Sequence, residues 1–186
     1  MTQKAMRIAF LIPSGVGTGY TGPGIFLKRL ILGAAGDIHP VIYAGLRKGH
    51  DHDPEFMPHR WMEFQETNWL EQLKWAVASF YWIIKDSKHF DVVHFHGTFI
   101  YKLAGALACI MLRKPYVLVP LASNADISES GRLSGNRFIK PIRRMIVKRA
   151  YHSFALGQVV ASELVNAGAL KQRVTTIQNP VSPDFF

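Results

Sequence analysis

Cysteine is almost absent: Cys109 is the only one in 186 residues. A disulfide framework and a cysteine-rich metal site are therefore excluded, which suits a reducing compartment. Cys109 falls in an apolar helical run, so a buried and inert thiol is expected. Acidic residues are also scarce, 13 against 22 basic ones, giving a formal charge of +9. That excess admits an anionic partner (nucleic acid, a phosphorylated ligand or an acidic lipid surface) without choosing among them. Nucleic acid is the least supported, because no recognition motif or aromatic-basic interleaving is present. No apolar run is long enough to span a bilayer. Residues 1–11 carry Lys4 and Arg7, then a short apolar strand, and do not read as a signal peptide. The expectation is a cytoplasmic protein, either free or peripheral at the inner face of the cytoplasmic membrane.

Apolar residues make up 48% of the chain, enough for one well-cored domain over residues 1–186. The most informative stretch is FDVVHFHG, residues 90–97. Val92, Val93 and Phe95 make a short apolar strand containing His94. His96 and Gly97 stand at its C-terminal end, the edge where ligands gather in open α/β sheets. On position alone, the two histidines either serve a site or only pack and hydrogen-bond.

Buried strands alternate with helices along the chain. Residues 7–13 read as a first strand, followed by SGVGTGYTGPG at 14–24 with five glycines, then a helix over 25–34. Such a loop either brings backbone amides against a phosphate or is simply a flexible turn. Gly15, Gly17 and Gly19 do not fit the tight dinucleotide fingerprint, and no Walker lysine follows. A second strand is expected at 39–44 and a short one at 61–64. The polar segment between them holds His50, His52, Asp53 and His59, whose spacing matches no common closed metal site.

Residues 68–85 read as a helix with a core stripe of Leu70, Leu73, Val77, Phe80 and Ile84. Trp75 and Trp82 lie a heptad apart on a neighbouring face, set to meet a partner or lipid or to widen the core face. A helix over 99–112, with Gly105 among alanines, predicts close packing on a sheet. A strand follows at 116–119, and residues 121–135 form a polar loop. A helix is expected to begin at Pro141, with Ile142, Met145, Ile146 and Ala150 inward. Arg143, Arg144 and Lys148 would then gather outside as a surface for anionic lipid or a phosphorylated ligand. A strand over 155–160, a helix capped by Ser162 and ending at Gly168, and a strand over 174–177 complete the pattern. The fold class is α/β: a three-layer, Rossmann-like domain with a mostly parallel sheet of six or seven strands.

Several of these residues match a known family. Residues 90–97 resemble the D-[VI]-V-H-x-H motif of GT-B-fold glycosyltransferases of retaining family four. Lys114-Pro115-Tyr116-Val117-Leu118 resembles the family's strand opening on lysine-proline. Arg149-Ala150, Val159-Val160-Ala161-Ser162 and Leu164 resemble its segment before the interdomain region. VTTIQNP at 174–180, with Val181 and Phe185-Phe186, is similar to its closing motif. The resemblance covers nearly the whole chain and is strong in order and spacing. Two positions depart from it. Leu121 stands where the family often has an essential histidine near the reacting sugar, and Pro180 stands where glycine is usual.

The resemblance implies an N-terminal, acceptor-side domain. Its parent would move a sugar from a nucleotide sugar to a glycan or lipid-linked saccharide. Gly15, Gly17 and Gly19 would offer amides near the donor diphosphate, and His96, Ser123 and Asn124 would contact sugar. The donor-binding C-terminal domain would come from elsewhere, so the chain alone is expected to be inactive. The alternative is a non-catalytic or degenerate subunit acting with a partner chain. No metal or other cofactor is implied.

Overall fold

The computed structural model describes residues 5–13, 15–16, 22–46, 53–65, 68–97, 103–120 and 139–178. The elements in chain order are β1 (Met6–Ile12), α1 (Gly22–Gly33), β2 (Ile38–Leu46), β3 (Arg60–Glu63), α2 (Trp69–Lys85), β4 (Val92–His96), α3 (Ala104–Leu112), β5 (Tyr116–Val119), α4 (Ile139–Arg149), β6 (His152–Leu156), α5 (Gln158–Asn166) and β7 (Val174–Ile177). The seven strands form one sheet in the order β3-β2-β1-β4-β5-β6-β7. Every pairing is parallel. This is the α/β Rossmann-like fold expected from the alternation.

The sheet is covered on both faces, so its inner strands are apolar on both sides. Ala9 and Leu11 of β1 join Val93 and Phe95 of β4, with Trp75, Trp82, Ala106, Cys109, Ile146 and Leu164, in one core under α2 to α5. The alternate residues, Phe10 and Ile12 with Ile42 and Ala44, pack under Leu27 and Ile31 of α1. Phe56 closes that second core from a 3-10 turn at Pro54–Phe56. Lys28 of α1 holds the turn by pairing with Asp53 at 3.1 Å. Asp53 also accepts from the Glu55 N–H as the turn's N-cap.

Gly105 provides the close approach expected of α3. A Cβ there would lie 3.0 Å from the Phe95 ring and 3.2 Å from Leu11. Cys109 beside it is buried, and burial raises its thiol pKa, so it stays protonated and inert.

Three expectations fail. α2 turns Trp75, Ser79, Trp82 and Ile83 inward, whereas Leu70, Leu73, Val77 and Ile84 are exposed. Each indole is larger than any one aliphatic side chain of the stripe, and the face that carries both, with Ile83, is the one turned inward. In α4, Val147 joins Ile146 and Ala150 inside, while Ile142 and Met145 are exposed. The strand expected at 155–160 is instead β6 over His152–Leu156, followed directly by α5. Gly157, at φ 105°, makes the turn between them. Val159 and Val160 are therefore helical, and Ser162 lies inside α5, its hydroxyl donating to the Gln158 carbonyl at 3.0 Å.

Candidate functional site

The strand order reverses between β1 and β4, the first leading outward to β2 and the second to β5. At their C-terminal ends such a switch leaves a crevice. β1 ends there at Ile12, followed by Pro13, Gly15 and Val16; β4 ends there at His96 and Gly97. α1 starts at Gly22 on the same edge. Gly97 takes φ 85° and donates its N–H to the Val119 carbonyl at 2.8 Å, which fixes the exit of β4 against β5.

His94 and His96 both project to the α1 face, because a strand alternates its side chains. They form a column of rings. Phe10 lies 5.1 Å from His94, His94 lies 5.3 Å from His96, and His96 lies 5.0 Å from Phe26 of α1. Both imidazoles are buried. No hydrogen-bond partner for the His94 Nδ1 occurs among the described residues. Burial lowers its pKa from 6.5 to about 4, so it is neutral near pH 7. His96 thus stands at the expected edge, with Phe26 packed over it.

The first loop leaves the sheet over β2. Gly45 packs against the Pro13 carbonyl so closely that a Cβ has no room. Gly45 was not foreseen, and its signal was a glycine near the end of an apolar strand. Gly15 is less constrained: a Cβ there would meet Leu46 at 3.4 Å, an ordinary contact. Gly17, Gly19, Leu121, Ser123 and Asn124 lie outside the described residues, as do His50, His52 and Pro180.

At the opposite edge of the sheet, two ion pairs among the described residues tie separate elements together. Arg7 meets Asp91 at 2.7 Å and donates to the Lys88 carbonyl at 2.9 Å. Hydrogen bonding from Arg7 holds the Asp91 pKa down to about 2. Arg60 clasps the buried Asp86 through Nε at 2.6 Å and Nη2 at 2.8 Å. Tyr43 donates to the same carboxylate at 3.2 Å, and His59 lies 3.4 Å from it. Arg60 lowers the Asp86 pKa, and burial raises that of the Tyr43 phenol. No group of three histidine, cysteine or acidic side chains that could hold a metal occurs among the described residues.

The basic surface on α4 is only partly as expected. Arg144 and Lys148 are exposed, whereas Arg143 is half-buried on the inward side. Among the described residues, no helix is long and apolar enough to cross a membrane.

The profile of Glycosyltransferase Family 4 matches residues 20–185. No curated protein matches the chain. Several solved structures share the fold. The UDP-N-acetylglucosamine 2-epimerase from Rickettsia bellii aligns with a TM-score of 0.63 at 12% identity, covering 94% of this chain and 45% of that one. Anabaena HepE in complex with UDP aligns with a TM-score of 0.61 at 18% identity, covering 96% and 47%. The UDP-GlcNAc 2-epimerase from Methanocaldococcus jannaschii aligns with a TM-score of 0.59 at 17% identity, covering 94% and 46%. The chain spans a little under half the length of each of these proteins.

Proposed function

Because this chain belongs to Glycosyltransferase Family 4, we propose that it is the acceptor-side domain of a sugar transferase. The donor is a nucleotide sugar, and the acceptor is a glycan or a lipid-linked saccharide. The family match over residues 20–185 carries this reading. The crevice between β1 and β4 supports it, because a ligand groove belongs at that edge.

Glycosyl transfer needs the leaving diphosphate stabilised and the acceptor hydroxyl held against the anomeric carbon. Backbone amides at Gly15, Gly17 and Gly19 face the diphosphate in this reading, while Ser123 and Asn124 hold sugar. A hydrogen bond from His96 to a sugar requires Phe26, 5.0 Å away, to turn aside. A donor-binding half, in the same polypeptide or a partner subunit, completes the groove. The 186 residues alone are then inactive.

Leu121 favours a second reading, a degenerate subunit paired with another transferase chain, because leucine can neither donate a hydrogen bond nor move a proton. Transfer of radiolabelled sugar from nucleotide sugars onto a membrane or glycan extract separates the readings. Activity that appears only with the donor half, and is lost on changing Ser123 and Asn124 to alanine, supports the first. Activity of the partner that persists through both changes supports the second. Turnover by the chain alone overturns the need for a donor half.

A further inference from the structure

On the α1 side of the sheet the core is aliphatic and aromatic, built from Phe10, Ile12, Leu27, Ile31, Ile42 and Ala44. β4 adds two buried imidazoles to that side. The His94 Nδ1 has no hydrogen-bond partner among the described residues. An apolar side chain at position 94 would avoid the cost of burying that atom. A buried polar group left unsatisfied calls for an explanation, and a state of the protein in which it meets water supplies one.

The helix that closes this side has few supports. Among the described residues, α1 is the only helix on its face of the sheet, whereas α2 to α5 share the other. Gly22 and Gly24 stand in its first turn and Gly33 ends it, and glycine is a poor helix former. Lys28 ties it to the 3-10 turn through Asp53 at 3.1 Å and Glu55 at 3.5 Å. An element with few buried contacts opens before the rest of a fold does.

The groups facing His94 leave its charge to solvent access. Phe10 on β1 and Val117 on β5 are its neighbours across the sheet, and Phe26, Leu27 and Ile31 are the buried side chains of α1; none is charged. His96 is the titratable group beside it, with ring centroids 5.3 Å apart. Burial is the main cause that holds the His94 pKa down, so exposing the ring restores its affinity for a proton. A closed α1 disfavours the proton, and by linkage the proton favours an open α1.

We propose that α1 is a proton-linked gate: while His94 is neutral Phe26 stays closed over His96, and protonation of His94 lifts α1 and bares His96 at the β1–β4 edge. What then enters, a sugar hydroxyl that hydrogen-bonds His96, rests on the groove reading given above. The test uses the ligand-free protein, so failure of the gate and failure of the groove are separate results.

Backbone amide exchange, corrected for the intrinsic effect of pH, measures how often each segment opens. The amides of Phe26 to Leu30 are expected to exchange through an opening short of global unfolding, and so faster than those of Val93, Phe95 and Leu118. That opening should become about 30-fold more frequent between about pH 7.5 and about pH 5, the ratio set by a ring whose pKa is 6.5 when exposed and about 4 when covered. His94→Leu should bring the ratio close to one. His94→Gln, which keeps a neutral polar side chain, should do the same, and it carries the test if leucine perturbs folding. Exchange of α1 only together with β4 and β5 would overturn the proposal. So would an opening of α1 that ignores pH in the native protein, or one whose pH dependence survives both changes at His94.

Discussion

Phe26 of α1 packs over His96 of β4 with ring centroids 5.0 Å apart and planes inclined at 54°. This contact ties the first helix to the last residue of β4 at the point where the strand order reverses. It places an aromatic cover over the histidine that the sequence singles out.

Removing that cover should be felt as a core cavity. Phe26→Ala should destabilise the domain by about 3 kcal/mol, at the low end for a buried phenylalanine because the ring is close to the surface. The fall in urea midpoint measures it, and the His96 ring resonances should shift in the same variant.

His94 should make the fold acid-sensitive in a defined window. Its pKa is lowered from 6.5 to about 4 by burial. The native state then keeps the ring neutral while the unfolded chain takes up a proton. Its contribution is complete above pH 6.5 and is lost as the pH falls towards 4. The whole window corresponds to about 3 kcal/mol. Stability measured at intervals across it should slope in the native protein and flatten in His94→Leu. Asp86 and Asp91 act lower: their pKa values are depressed from 3.8, so their contributions are present above that value and fade below it.

Arg60→Ala strips Asp86 of its two shortest contacts. A buried carboxylate left without its cation is costly. Arg60 is partly exposed, and Tyr43 and His59 remain beside the carboxylate, so a loss of about 2 kcal/mol is expected near neutrality. The difference from the native protein should narrow in acid, where Asp86 becomes protonated. Paired chemical denaturation at neutral and acid pH checks both parts.

The rotation of α2 gives a contrast between neighbours two residues apart. Trp75→Ala should cost about 3–5 kcal/mol, because the indole is fully buried. Val77→Ala should change stability by no more than about 0.5 kcal/mol. Thermal midpoints of the two variants test the observed face directly.

The strands were legible because a parallel sheet covered on both faces needs short, continuously apolar runs, and VVHFH and YVLV are such runs. The order of those runs also placed His96 at the C-terminal edge of the sheet, where the strand order reverses. α2 was legible as a helix, capped by Asn68 accepting from the Leu70 N–H at 3.0 Å, but its rotation was not. With apolar residues on both sides of the helix, periodicity offers two stripes, and the larger side chains take the core. Val159 and Val160 read as strand because β-branched residues favour one, yet Gly157 ends β6 before them. The covering of His96 by Phe26 joins residues distant in the chain and has no local signal. Gly45 carried only the weak signal of a glycine in a strand, and the close approach of Pro13 gives it meaning.

The most direct test of a nucleotide-sugar groove at the β1–β4 edge is a backbone amide NMR titration of the protein with UDP-, GDP- and ADP-glucose. Weak, fast-exchanging shifts are expected for at least one of them. They should be confined to Gly15, Gly17, Gly19 and Val16 on the first loop and to His96 and Gly97 at the end of β4. Shifts centred on Arg7 and Asp91 at the opposite edge, tight slow-exchange binding without a donor half, or no response to any nucleotide sugar would contradict it.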